Sequence, residues 1–118
     1  MTTKISIDTV MRCGEANGWE VRADRQEDST VFEFYKFTTA GQDFYFTAAM
    51  TGNSIDSLAD EIEAYYENFD PDYEASLWIG PDGHGLRGAP YHIKDIIADM
   101  EEVEEMVYGL LEAVRKIA

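Results

Sequence analysis

The chain has 118 residues, 45% of them hydrophobic and 13% aromatic, which is enough for one domain with a true core and excludes a disordered acidic tail. Its 24 acidic residues against 9 basic ones give a formal net charge of −15 at pH 7, a field that repels phosphates and anionic membranes. Direct nucleic-acid binding and attachment to a membrane surface are therefore not expected.

No run of 18 apolar residues occurs, the opening MTTKISIDTV has no signal-peptide core, and the lone Cys13 permits no intrachain disulfide. These features read as a cytoplasmic chain, with Cys13 as a small core residue. The charge is uneven: residues 1–53 carry net −3 and residues 54–118 net −12.

In chain order, residues 6–17 predict a helix with Ser6 as N-cap, Asp8 in its first turn, and Ile7, Val10, Met11 and Gly14 on one face. Asn17-Gly18 stops it. WEVRADR then alternates, with Trp19, Val21 and Ala23 on one side, as a half-buried strand does. Two aromatic runs follow, VFEFYKFTT and DFYFTAAM, separated by the turn TAGQ, so the three segments predict an antiparallel meander. Both faces of the second and third strands are apolar: Phe32, Phe34, Phe44 and Phe46 on one, Val31, Tyr35, Phe37 and Tyr45 on the other. Alternation leaves open which of them is the core. Either the last helix wraps part of the second face, or that face is an exposed aromatic patch.

Residues 54–69 predict a helix capped by Ser54 or Asn53, with Ile55, Leu58, Ile62, Tyr65 or Tyr66, and Phe69 on its inner face and an acidic outer row. Asp70-Pro71 suits the start of a helical turn, and Leu77-Trp78-Ile79 reads as a short buried extended segment. From Tyr91 to Ile117 no proline intervenes, and Ile93, Ile96, Met100, Val103, Val107, Leu110, Val114 and Ile117 recur at steps of three and four. A helix of that length is ~40 Å long. It spans the domain, breaks near Gly109, or protrudes to pair with a second copy.

The stretch GHGLRG, Gly83 to Gly88, fits the G-x-G-x-x-G pattern but lacks its context. A dinucleotide fingerprint needs a strand before it, a helix opening within it and an acidic residue ending a parallel strand some 20 residues on. Here Ala89-Pro90 separates the glycines from the helix, and Glu104 and Glu105 lie inside that helix. The loop reads as a flexible connector that aims the helix, with Arg87 and His84 laid back on the acidic face. Asp82, His84 and His92 are close enough in sequence to suggest a metal-dependent enzyme, but their spacing matches no strong metal motif. A single cysteine and two histidines give no nucleophilic triad. The sequence thus calls for no cofactor and no catalysis.

What remains is the arrangement of carboxylates. Asp95, Asp99 and Glu102 flank the apolar stripe of the last helix on one side; Glu101, Glu105 and Glu112 flank it on another, with Glu104 between; Asp60, Glu63 and Glu67 extend the surface on the preceding helix. Carboxylates so spaced imitate a line of phosphates and suit a basic protein groove.

Two resemblances accompany this. The C-terminal half, with Asp70-Pro71-Asp72, Leu77-Trp78-Ile79, His84-Gly85 and Gly88-Ala89-Pro90, resembles small uncharacterised acidic proteins of bacterial mobile elements and prophages. The order helix, three strands, helix, helix, together with the acidity, is similar to phage anti-CRISPR proteins that occupy the DNA-binding groove of a type II CRISPR nuclease as DNA mimics. That likeness lies in topology and charge, without a shared residue motif, and implies a class of function only.

The expectation is an α+β fold, αβββαα, with a three-stranded antiparallel sheet. Its function would be non-enzymatic: occupation of a basic, nucleic-acid-binding surface on a protein partner through the carboxylates named, Glu112 excepted. The alternative is a structural module that homodimerises through the C-terminal helix.

Overall fold

In the computed structural model, which describes residues 3–86 and 89–118, three consecutive strands form the sheet. They are β1 (Glu20–Arg25), β2 (Ser29–Phe37) and β3 (Asp43–Thr51), in the order β1-β2-β3 and antiparallel throughout. Register sets Val21 opposite Phe34, and Phe34 opposite Phe46. The face formed by Val21, Phe32, Phe34, Phe44, Phe46, Ala48 and Met50 is buried, which decides the question that alternation left open. Trp19 stands edge-on to Phe34, Phe44 and Phe46, with centroids 6.1, 6.2 and 5.7 Å away. Each such large apolar side chain contributes about 1.5–3 kcal/mol on burial.

The helices cover that face: α1 (Thr3–Ala16), α2 (Ile55–Glu67), the short α3 (Pro71–Ser76) and α4 (Ile93–Ile117). The architecture is α+β, with helices before and after the sheet, as expected. α1 starts earlier than its sequence suggested. Ser6 is not its N-cap: it lies buried within the helix and donates its hydroxyl to the Asn53 carbonyl at 3.1 Å. Asp8 consequently sits beyond the first turn. α1 lies so close to β1 that a Cβ added at Gly14 would come 2.5 Å from Val21 Cγ2. Only glycine permits that approach.

α2 has the expected cap, Ser54, whose side chain accepts from the Ser57 N–H. α3 is capped by Asp70, which accepts from the N–H groups of Asp72 and Tyr73, and Pro71 occupies its first turn. Leu77 continues in helical geometry and is 57% exposed, so Leu77-Trp78-Ile79 is not the buried extended segment expected. Among the described residues its one strand-like contact is the bridge from Ile79 to Gly85.

α4 runs unbroken through Gly109. Within its stripe Ile96, Met100, Val103, Val107, Leu110 and Val114 are buried in the chain's own core, while Ile93 at its start is exposed. The radius of gyration of 15.5 Å exceeds the roughly 13.5 Å expected for a compact chain of this length. The principal extents of 53 × 24 × 21 Å describe a rod. Among the described residues, no helix is long and apolar enough to cross a membrane.

Candidate functional site

α4 turns about 100° per residue, so the burial of its stripe fixes where each carboxylate points. Glu101, Glu105 and Glu112 lie opposite the core and are exposed. Glu104 is half-buried on the side toward α2, where Tyr108 packs on Tyr66 at 5.3 Å between centroids. α2 adds Asp56, Asp60 and Glu67, all exposed, and the half-buried Glu63. Arg115 ties the two helices together. Its guanidinium donates to Asp60 Oδ1 at 3.1 Å and to Glu63 Oε1 at 2.5 Å, and these carboxylates raise its already high pKa. Among the described residues no other ion pair offsets either acidic row.

On the opposite flank of α4 the sequence expectation needs correction. Asp95 is exposed, but Asp99 is only 5% exposed, and among the described residues its Oδ2 has no hydrogen-bond partner. Burial pushes its carboxyl above the ordinary range, the neighbouring Thr38 hydroxyl favours the charged form, and Glu102 raises it further. Glu102 accepts two hydrogen bonds from Thr39, from the backbone N–H at 2.8 Å and from Oγ1 at 2.9 Å. The turn between β2 and β3 is thus docked on α4, with Thr38 and Gln42 buried beneath it. Asp99 presents nothing to a partner, and Glu102 is engaged within the chain. The paired threonines Thr38-Thr39, at the end of an aromatic strand, were the available signal for this anchor.

The glycine loop is more ordered in its contacts than a plain connector. Gly80 donates to the His84 carbonyl at 2.8 Å, Gly85 to that of Tyr91 at 3.0 Å, and Leu86 to that of Trp78 at 2.9 Å. A Cβ at Gly85 would fall 1.9 Å from the Pro90 carbonyl oxygen, so close chain approach, rather than hinge freedom, demands glycine there. Arg87 and Gly88, and with them the suggested contact of Arg87 with the acidic face, lie outside the described residues. His84 stacks on Tyr91 at 4.0 Å and lies 3.7 Å from Asp82, while its ring is 6.4 Å from that of His92. Among the described residues no group of three His, Cys, Asp or Glu converges as metal ligands.

Among the described residues no helix covers the second face of the sheet. Tyr35 and Tyr45 pack side by side at 4.8 Å, Arg22 lies over Tyr35 at 5.2 Å, and the Tyr35 hydroxyl donates to Glu33 at 2.7 Å. Phe37 is 69% and Tyr45 51% exposed. The last helix does not wrap this face. Around the edge of β3 a cleft of about 390 Å³ opens between the strand and α3, with Tyr45, Tyr65, Glu74 and Trp78 in its walls. Burial pushes the Tyr65 phenol up to about 12, and Glu74 adds to the rise. Sequence reasoning missed this cleft because α3 was read as leading into a buried segment.

Compared with protein-family models, curated proteins and solved structures, the chain matches none.

Proposed function

We propose that this chain is a non-enzymatic binding protein whose acidic helices occupy a basic, nucleic-acid-binding surface of a partner protein, as a DNA mimic does in anti-restriction or anti-CRISPR inhibition. The observation that carries this reading is the pair of outward acidic rows, Asp56, Asp60 and Glu67 on α2 and Glu101, Glu105 and Glu112 on α4, offset among the described residues by Arg115 alone. Solubility needs far less: a net charge of about 2–8 in magnitude suffices for a small domain. Shape adds support. A net −15 along a 53 Å axis is about one net charge per 3.5 Å, about half the linear density of duplex DNA, which carries one charge per about 1.7 Å. Asp95, Glu101, Glu104 and Glu105 remain in the proposed contact, with Asp60, Glu63 and Glu67 beside them; buried Asp99 and Glu102, which is bonded to Thr39, leave it, and Glu112 joins it.

The test is capture of proteins from the native cell on immobilised chain, eluted with a sodium chloride gradient and challenged with a short DNA duplex. The expected partner is a basic DNA-binding protein that elutes with rising salt and is displaced by the duplex. A triple variant, Glu101→Lys, Glu105→Lys and Glu112→Lys, should lose the partner while retaining wild-type circular dichroism. Binding that survives both high salt and the triple variant would refute the proposal.

A further inference from the structure

We infer that the cleft at the edge of β3 receives one basic side chain, lysine or arginine, of the protein partner. The inference rests on the reading of this chain as a ligand for a basic protein surface, and names the part of that partner which the cleft would take.

Three aromatic rings, Tyr45, Tyr65 and Trp78, and two carboxylates, Asp43 and Glu74, line the cleft. The faces of such rings attract cations, and the attraction strengthens as water is excluded. Tyr65 is held in place by stacking on Phe46 at 4.6 Å, so that wall is built before any ligand arrives. Glu74 is half-buried, and among the described residues its carboxylate neither accepts a hydrogen bond nor pairs with a cation. Burial, then Asp70, pushes its carboxyl above the ordinary range.

A carboxylate placed in that setting gains most from a positive charge brought to it, because none of the described residues supplies one. No basic residue lines the cleft among the described residues, and a phosphate would meet two negative groups. Its volume of about 390 Å³ lies near the lower end of the 300–1,000 Å³ usual for ligand sites, a size suited to a side chain. Leu77, exposed at the rim, offers an apolar surface for the aliphatic stem that lysine and arginine carry behind their charge.

The experiment titrates the protein with N-acetyl-arginine amide, with N-acetyl-lysine amide, and with N-acetyl-citrulline amide as the neutral control. The indole N–H resonance of Trp78 is followed by NMR, and the buried Trp19 serves as internal reference. The expected result is a saturable shift of Trp78, and not of Trp19, with at least one of the two cations and none with citrulline. Glu74→Gln and, separately, Tyr45→Ala should each weaken it about fivefold or more. Equal shifts with citrulline, no shift with either cation, or undiminished binding in Glu74→Gln and Tyr45→Ala would overturn the inference.

Partner affinity separates this inference from the broader reading. Loss of partner in the α4 triple variant, with no change in either Glu74→Gln or Tyr45→Ala, sinks the cleft and spares the acidic surface. Cation binding in the cleft, with partner affinity unaffected by the triple variant, does the reverse.

Discussion

Glu102 on α4 accepts both the backbone N–H and the hydroxyl of Thr39, 63 residues earlier, at 2.8 and 2.9 Å. This pair of bonds turns a carboxylate that resembles its exposed neighbours into the anchor of the β2–β3 turn. Hydrogen bonds to a charged group contribute about 1.5–3 kcal/mol each when well formed, and less where solvent competes. Glu102→Ala should therefore destabilise the fold by about 1–2 kcal/mol in urea unfolding, whereas Glu101→Ala stays within about 0.5 kcal/mol. Equal effects of the two would contradict the anchoring role.

Asp99 gives a pH dependence of defined sign. Its folded-state pKa is raised above the ordinary 3.8, so the native protein binds more protons than the unfolded chain just above that value. Stability from this group is thus fully present at low pH and falls as pH rises through the raised value. Glu74 acts in the same direction. Asp99→Asn should flatten the acid limb of the melting-temperature profile and raise stability at pH 7 by about 1 kcal/mol. A variant whose profile parallels that of the wild type would show that Asp99 is not the group responsible.

Two glycines should answer oppositely to alanine. Gly109 lies mid-helix with nothing within 4 Å of an added Cβ, so Gly109→Ala should stabilise by about 0.5–1 kcal/mol through helix propensity. At Gly14 the added methyl would meet Val21 at 2.5 Å, and overpacking of that kind costs about 1–3 kcal/mol. Thermal melts of both variants against the wild type check the signs.

Self-repulsion along the acidic helices predicts a response to salt. Among the described residues the outward carboxylates of α2 and α4 have no cationic partner other than Arg115, and the Debye length shrinks from about 30 Å at 0.01 M to about 8 Å at 0.15 M. Added sodium chloride should therefore raise the melting temperature over this range. A fall would mean that attractive pairs outweigh the repulsion.

The sequence carried the meander, the Ser54 cap and the inward stripe of α4 because each depends on local chemistry or on a simple period. It could not say which aromatic face was buried. Phe34 and Tyr35 are equally good strand residues, and only the placement of the helices separates them. Asp99 fell on the wrong side of the account for a related reason. On the helix alone it borders the stripe, and only the β2–β3 turn laid across α4 removes it from water. Gly85 was misjudged as well, since the Pro90 carbonyl that forbids a side chain there is supplied by the returning chain.

The sheet order also bears on how the chain reaches this state. Each strand pairs with its neighbour in sequence, through the turns 26–28 and 38–42, so both pairings close short loops at little entropic expense. The packing of α1 against α4, by contrast, joins the two ends of the described chain. On topological grounds the hairpins are the elements able to assemble early, and the final helix comes to rest on a surface already formed. Substitutions along the inward stripe of α4 would then chiefly quicken unfolding, while those at the β2–β3 pairing would slow folding.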